Sequence, residues 1–209
     1  MTGLNMNALR NRAPAVWTIV VMGLVLAGCA AQPPVPVDKY YRLQAVFAAA
    51  PLPAQKFPGN LEIDRFTADG LTAGRPIVYI DSANTNQLLE YHYHFWTQPP
   101  TIMLRDELVS YLRAAGISGN VVIPEMRLRT DYVMTGRILK LEQVLGAPNR
   151  ARLELEISLR QPDSGKLLFL KTYMHETTQS SAGVSAAVTG LNEALNVIYS
   201  DLLADLKNL

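Results

Sequence analysis

The segment from Arg150 to Arg160 constrains the fold most, because its apolar and polar residues alternate strictly. One set of alternate positions is apolar and comprises Ala151, Leu153, Leu155, Ile157 and Leu159. The other set is polar or charged and comprises Arg150, Arg152, Glu154, Glu156, Ser158 and Arg160. Successive side chains of a β-strand point to opposite faces of a sheet, so the pattern predicts a strand with one buried face and one solvated face. On the solvated face the mixed charges favour cross-strand ion pairs over paired catalytic carboxylates.

Two neighbouring segments extend this strand into a meander. Residues 131–144 and 167–178 also have the composition of strands. The connections at 146–149 and 161–165 are rich in Gly, Pro, Asn, Asp and Ser, which are residues that tight turns require. Short turns between adjacent strands favour antiparallel pairing, so we expect a three-stranded antiparallel meander.

Two amphipathic helices are predicted, one on each side of the meander in the sequence. The first follows Pro99 and Pro100 and ends before Gly116, a residue suited to a left-handed terminator. Its apolar residues recur every three or four positions, at Leu104, Leu108, Tyr111, Leu112 and Ala115. The second helix begins near residue 183, and its apolar stripe comprises Val184, Val188, Leu191, Leu195, Ile198, Leu202 and Leu206.

Shorter strands are predicted at 40–43, 61–66, 76–80 and 88–96. Each helix has a single apolar stripe, so each needs a sheet face to cover it. The expected fold class is therefore α+β, a two-layer domain in which a mixed or antiparallel sheet of about five or six strands packs against two amphipathic helices.

The N-terminal residues have the pattern of a cleaved export signal. Arg10 and Arg12 precede an uncharged apolar run at 13–26, about 14 residues long, whereas a membrane-spanning helix needs about 20. The following residues, Ala27, Gly28 and Cys29, resemble the bacterial lipobox. This resemblance predicts removal of residues 1–28 by cleavage between Gly28 and Cys29, followed by lipidation of Cys29.

The residues after the predicted cleavage point have the composition of a short stiff tether. Residues 29–38 carry Cys29 and three prolines, and residues 39–209 are predicted to form a single periplasmic domain. Cys29 could instead end a longer apolar helix, but the abrupt change to a proline-rich segment argues against that alternative. Ala30, in place of Asp, favours the periplasmic face of the outer membrane over the inner membrane in enterobacterial-type lipoproteins.

Composition excludes several functional classes. The predicted signal contains Arg10 and Arg12, which leaves 17 basic and 18 acidic residues and a net charge near −1. No basic run and no Gly-rich phosphate loop is present, so we expect neither nucleic-acid binding nor a cofactor. Cys29 is the only cysteine, so the chain forms no internal disulfide.

A few residues are candidates for chemistry. His92 and His94 project from one face of a predicted strand, but a third ligand is missing from the motif and His175 lies on another strand, so we predict no metal site. The polar residues at 177–181 lack the turn that surrounds a nucleophilic serine, and we predict no catalytic residue. The corner formed by Trp96, Pro99 and Pro100 is the best candidate for a partner-facing or structurally decisive site.

Several segments together resemble the auxiliary lipoprotein family of bacterial ABC transporters. They are residues 40–43, 61–66, 77–80 and 93–100, with the last leading into a helix that carries Leu104, Leu108 and Leu112. Family members accompany mammalian-cell-entry type lipid transport systems and include the lipoprotein of the paraquat-inducible operon. The family often has Arg before the tryptophan that precedes this helix, whereas Phe95 stands there in this chain, so no role of that arginine carries over.

The resemblance implies a noncatalytic, membrane-anchored component that assists a permease, an ATPase and a mammalian-cell-entry domain protein. Such a system moves phospholipid or other apolar molecules between the inner and outer membranes, and direct binding of lipid by this chain stays open. A homo-oligomer is neither required nor excluded by the sequence. Two alternatives remain: an outer-membrane lipoprotein that scaffolds or activates another envelope assembly, and a lipid-tethered hydrolase or metal protein.

Overall fold

A mixed sheet of nine strands and two α-helices make up the folded unit, which spans Asp38–Leu209. The computed structural model describes residues 35–179, 181 and 183–209. The predicted signal at 1–28 and the lipidated Cys29 lie outside these residues. Within the described ranges, no helix is both long enough and apolar enough to cross a membrane.

The helices and strands follow one another in the order β1 (Lys39–Tyr41), β2 (Phe57–Ile63), β3 (Thr67–Ala68), β4 (Pro76–Asp81), β5 (Asn84–Trp96), α1 (Pro100–Ala115), β6 (Ser118–Val122), β7 (Tyr132–Leu145), β8 (Arg150–Arg160), β9 (Leu167–Thr178) and α2 (Val184–Lys207). Short 3-10 helices occupy Gly70–Ala73 and Pro124–Met126. Strand β5 includes part of the expected polar turn, because β4 and β5 pair as far as Asp81 and Asn84.

Strand β7 organises the sheet, because both of its edges are used over most of its 14 residues. One edge pairs antiparallel with β8 from Val133 to Val144. The other edge pairs in parallel with β2, β3 and β4 in turn along its length. Strand β6 continues the sheet beyond β2, and β5 followed by β1 continues it beyond β4. The sheet therefore branches on one side of β7 and forms a plain meander on the other.

The meander β7–β8–β9 is confirmed, with antiparallel pairing throughout. All five apolar residues of the alternating set in β8 are 0% exposed, because helix α2 packs on this face of β8 and β9. The packing is close at Gly190, where an added Cβ would lie 2.8 Å from the Cβ of Ala151. A larger residue at this position would push α2 away from the sheet.

The expected α+β class with two helices on a mixed sheet is confirmed. The sheet has nine strands where about five or six were expected, and β3 and β6 are the two that no predicted segment covered. Strand β3 has only two residues, and β6 has the sequence SGNVV, whose first three residues are poor strand formers. Both form because a longer strand beside them supplies hydrogen-bond partners. The predicted glycine terminator of α1 is also confirmed, since Gly116 has a φ of 65°.

Candidate functional site

The N-terminal segment joins the folded unit at β1, which pairs in parallel with His94, Phe95 and Trp96 of β5. Residues 35–38, which lead into β1, are exposed. The hydroxyl of Tyr41 lies 2.8 Å from Nδ1 of His94, and the two rings are stacked with centroids 5.6 Å apart. Burial, and then the charge of Lys39, lower the pKa of His94, which favours the neutral imidazole. A neutral Nδ1 can accept the hydrogen bond that the Tyr41 hydroxyl donates.

Residues 43–46, called the strap here, run from β1 across the two helices. The four consecutive backbone N–H groups of the strap donate to side chains of α1 and α2. The acceptors, in order from residue 43, are Met103 Sδ (3.4 Å), Asn192 Oδ1 (2.8 Å), Glu107 Oε2 (2.8 Å) and Asn196 Oδ1 (2.7 Å). Side chains of two helices thus take the place that a neighbouring strand has in a sheet.

Apolar side chains in and next to the strap pack against the helices. Leu43 is 1% exposed and belongs to the core. The ring of Phe47 meets Tyr111 edge-on, with centroids 5.3 Å apart, and Tyr111 in turn contacts Tyr199. The hydroxyl of the buried Tyr199 donates to the carbonyl of Leu104 at 2.7 Å, and burial raises the pKa of Tyr199 well above its usual value. The strap is therefore part of the packing between the helices.

The corner that we singled out in the sequence is a packing feature. Trp96 is 1% exposed, so its indole offers no surface to a partner, and the partner-facing interpretation is not supported for this residue. Its backbone N–H donates to the carbonyl of Arg75 at 2.7 Å, and Nε of Arg75 donates to the carbonyl of Trp96 at 3.1 Å. Pro100 is buried at the start of α1, and Pro99 is half-buried beside it. The corner fixes the junction between β5 and α1.

A shallow cleft lies beside this corner and the strap. Its polar lining residues are Arg42, Gln44, Thr97, Gln98, Asp106 and Glu107. One cation and two carboxylates share the cleft, and Glu107 already accepts the N–H of Ala45. The lining has mixed charge, so the cleft has no strong preference for an anion or a cation.

The structure keeps the three histidines apart. His92 is exposed, and His94 is engaged by Tyr41. His175 lies on β9, where it is opposite Leu153 of β8. Strands β4, β7 and β8 separate β9 from β5 in the sheet. In the part of the chain that the structure describes, no group of three or more His, Cys, Asp or Glu residues could hold a metal ion.

The outer face of the meander carries a chain of ion pairs, as the mixed charges of β8 predict. Arg152 bridges Glu142 of β7, at 3.3 Å, and Glu176 of β9. Nζ of Lys140 lies 2.7 Å from Oε2 of Glu154. Burial raises the pKa of Glu142, and the charge of Arg152 partly offsets this rise. These contacts join the three strands across their solvated face.

The residues that hold the strap are the functional positions that the sequence analysis missed. A signal for two of them was present, because Asn192 and Asn196 are four residues apart and therefore lie on one face of a helix. Asparagine is a poor residue for a helix interior, so two at this spacing indicate a task outside the helix. The acceptors on α1, Met103 and Glu107, gave no comparable signal.

Comparison with known proteins decides the family. A family model described as the ABC-type transport auxiliary lipoprotein component matches residues 41–202. The chain belongs to this family. The match covers the strap, both helices except the end of α2, and the whole meander. The resemblance found in the sequence is therefore confirmed, and membership of a lipoprotein family assigns the protein to the cell envelope and to transport.

Solved structures share the fold of this family member. Protein XCC0632 from Xanthomonas campestris is 21% identical, with a TM-score of 0.67 over 79% of this chain and 92% of that one. An uncharacterized protein is 17% identical, with a TM-score of 0.64 over 82% of this chain and 99% of that one. No curated protein matches the chain. At these identities the likeness shows the fold alone.

Proposed function

We propose that this protein is a lipid-anchored, noncatalytic periplasmic component of an ABC transport system that includes a mammalian-cell-entry domain protein. In this role it helps to move phospholipid or other apolar molecules between the inner and outer membranes. The observation that carries the proposal is the family match over residues 41–202, directly downstream of the lipobox-like Cys29.

The anchor in this proposal is Cys29, acylated after cleavage behind Gly28, at the periplasmic face of the outer membrane. Attachment by two or more acyl chains is stable, whereas one chain gives only marginal binding. A proline-rich tether of ten residues would reach roughly 30 Å at about 3.1 Å per residue, so it would keep the domain close to the bilayer.

The strap secures the point at which the anchor segment enters the folded unit. The exposed residues 35–38 lead into β1, and the strap then fixes the chain to both helices within a few residues. Force on the lipid anchor would therefore act on the side of the domain where β1 joins β5.

A noncatalytic role agrees with the chemistry of the described residues. Acid–base catalysis requires an enclosed site and groups that are free to exchange protons. Here His94 is engaged by Tyr41, and three carboxylates of the outer meander face are paired with lysine or arginine. They are Glu142, Glu154 and Glu176. These arrangements support structural roles for the titratable groups.

Capture of partners tests the transport assignment. The full chain, tagged after Leu209 and expressed at its native level, would be extracted from envelopes in mild detergent and analysed with its bound proteins by mass spectrometry. We expect a permease, an ATPase and a mammalian-cell-entry domain protein to copurify. Recovery of a different envelope assembly without any of these three would contradict the proposal and favour a scaffolding role.

The anchor is tested separately by Cys29→Ser. We expect this variant to lose acylation, measured as the mass of the N-terminal peptide, and to accumulate as an uncleaved precursor. The matched control is Ala30→Asp, which keeps the acylated sulfur and should move the protein from the outer to the inner membrane. Normal processing of Cys29→Ser, with membrane binding that survives a high-salt wash, would show that the anchor lies elsewhere.

A further inference from the structure

Strand β9 offers a long free edge. It has 12 residues and pairs with β8 alone among the strands of the described residues. Free edges expose unpaired N–H and C=O groups, and proteins usually protect them by short strands, prolines or covering groups. The edge strand β6 has five residues, and Arg113 Nε donates to its Val121 carbonyl at 2.8 Å. Strand β9 contains no proline and is more than twice as long as β6.

The outer face of β9 is apolar where the strand is most accessible. Leu170 is 56% exposed and Met174 is 59% exposed, on the face that carries the ion pairs of β8. Lys171, the only cation between them in the sequence, points to the opposite face. There its Nζ lies 2.6 Å from Oδ2 of Asp205 in α2 and over the ring of Tyr173. Its charge is therefore directed away from the two exposed apolar side chains.

The spacing of these apolar residues is self-complementary. Leu170 and Met174 lie two residues on either side of Thr172, which is exposed on the same face. A two-fold axis through Thr172 would set Leu170 of one antiparallel strand directly opposite Met174 of the other. In this register Lys171 faces Tyr173 and Phe169 faces His175 of the second copy, so no like charges are opposed.

We propose that β9 pairs antiparallel with β9 of a second copy of this chain, about a two-fold axis at Thr172. The two meanders then form one continuous run of six antiparallel strands within the joined sheets, and the two Leu170–Met174 pairs form a single apolar cluster on their outer face. A second copy fits because the contact is isologous, so that the same residues serve both sides. The contact goes beyond the transport role and does not depend on it.

A disulfide at the axis tests the pairing. Thr172→Cys would be placed in the full chain carrying Cys29→Ser, so that the new thiol is the only one, and oxidised in mild detergent with copper phenanthroline and oxygen. Directly opposed residues have Cα atoms about 4.5–5.5 Å apart, within the range that a disulfide bridges. We expect a covalent dimer to form about tenfold faster, or more, than in the control.

The control is Thr178→Cys in the same background. It lies on the same strand and face and is also exposed, but the proposed axis puts its two copies roughly 40 Å apart, at about 3.4 Å per residue. Both variants share the same detergent micelles, so chance encounters act equally on them. Equal rates of crosslinking for Thr172→Cys and Thr178→Cys would overturn the proposal.

A second measurement needs no disulfide. In sedimentation experiments on the Cys29→Ser chain, the double substitution Leu170→Lys and Met174→Lys places like charges opposite each other and should raise the dimer Kd about tenfold or more. Leu128→Lys, at an apolar residue that is 50% exposed outside β9, should leave the Kd unchanged. A chain that sediments only as a monomer, or a dimer that the double substitution leaves intact, would also overturn the proposal.

Discussion

The meander and the strap are both non-helical segments that pack against helices, but different chemistry holds them. Strands β7, β8 and β9 satisfy one another through backbone ladders, and α2 covers their apolar face. The strap has four N–H groups that donate to single side chains on two helices. A ladder is cooperative along its length, whereas each hydrogen bond of the strap depends on one residue. The comparison indicates that the strap can open while the meander stays folded.

The largest effect is expected from Leu155→Ala in β8. Leu155 is 0% exposed in the centre of the meander, where the neighbouring strands and α2 leave little freedom to close a cavity. We expect the free energy of unfolding to fall by about 3 kcal/mol, measured by urea denaturation. Leu128→Ala, at an exposed leucine, is the control and should have little effect. A loss below about 1 kcal/mol for Leu155→Ala would mean that the meander is not the more rigid of the two regions, meander and strap.

A smaller and local effect is expected from the combined change Asn192→Ala and Asn196→Ala. These substitutions remove the acceptors of the Gln44 and Val46 N–H groups. We expect those two amides to exchange with deuterium about tenfold faster, which corresponds to about 1.4 kcal/mol of local stability, while the amides of β8 keep their protection. Hydrogen exchange followed by NMR measures both regions at once.

The matched control for this change is Glu193→Ala, at an exposed residue between the two asparagines on α2. It should leave exchange at residues 44 and 46 unchanged. Equal acceleration of exchange in the strap and in β8 would show that the two regions open together, and the comparison would then fail.

The ion pairs of the meander contribute less. Arg152→Ala leaves the buried Glu142 without its main cation, and we expect a loss of about 1 kcal/mol at neutral pH. Without Arg152 the pKa of Glu142 rises further, so the folded state binds a proton more readily than the unfolded state as the pH falls. The loss should therefore shrink in acid, and Glu142→Gln added to Arg152→Ala should abolish this pH dependence of the difference. A loss that does not change with pH would exclude Glu142 as its source.

The smallest effect concerns the attachment of β1 by Tyr41 and His94. Burial lowers the pKa of His94 below 6.5, so between the folded and unfolded values the unfolded chain binds more protons. The contribution of His94 to the free energy of unfolding is therefore fully present above pH 6.5, and it is lost as the pH falls below that value. We expect a few tenths of a kcal/mol, measured as the pH dependence of unfolding in the wild type minus that of His94→Gln. Identical pH profiles of unfolding for the wild type and His94→Gln would contradict this expected contribution of His94.

The same difference explains what could be predicted from the sequence. The meander follows from local pattern and turn residues, so its predicted limits agree with β7, β8 and β9 to within one residue. Strand β6 and the strap depend on partners far away in the chain, such as Phe57 for β6 and Asn192 for the strap. No local pattern marks such contacts. Trp96 was singled out as part of a partner-facing or structurally decisive corner, but its burial depends on the assembled core around it and could not be read from the local pattern.

The position of β7 has a consequence for the order of folding. Strands β2, β3 and β4 precede β7 in the chain, yet each of them pairs with it in parallel. Until residue 145 is available, these strands lack the neighbour that completes the sheet, and long-range parallel pairing is intrinsically slow to form. A nascent chain would thus remain without a stable tertiary structure until β7 has been synthesised, and the sheet on that side of β7 would form only afterwards.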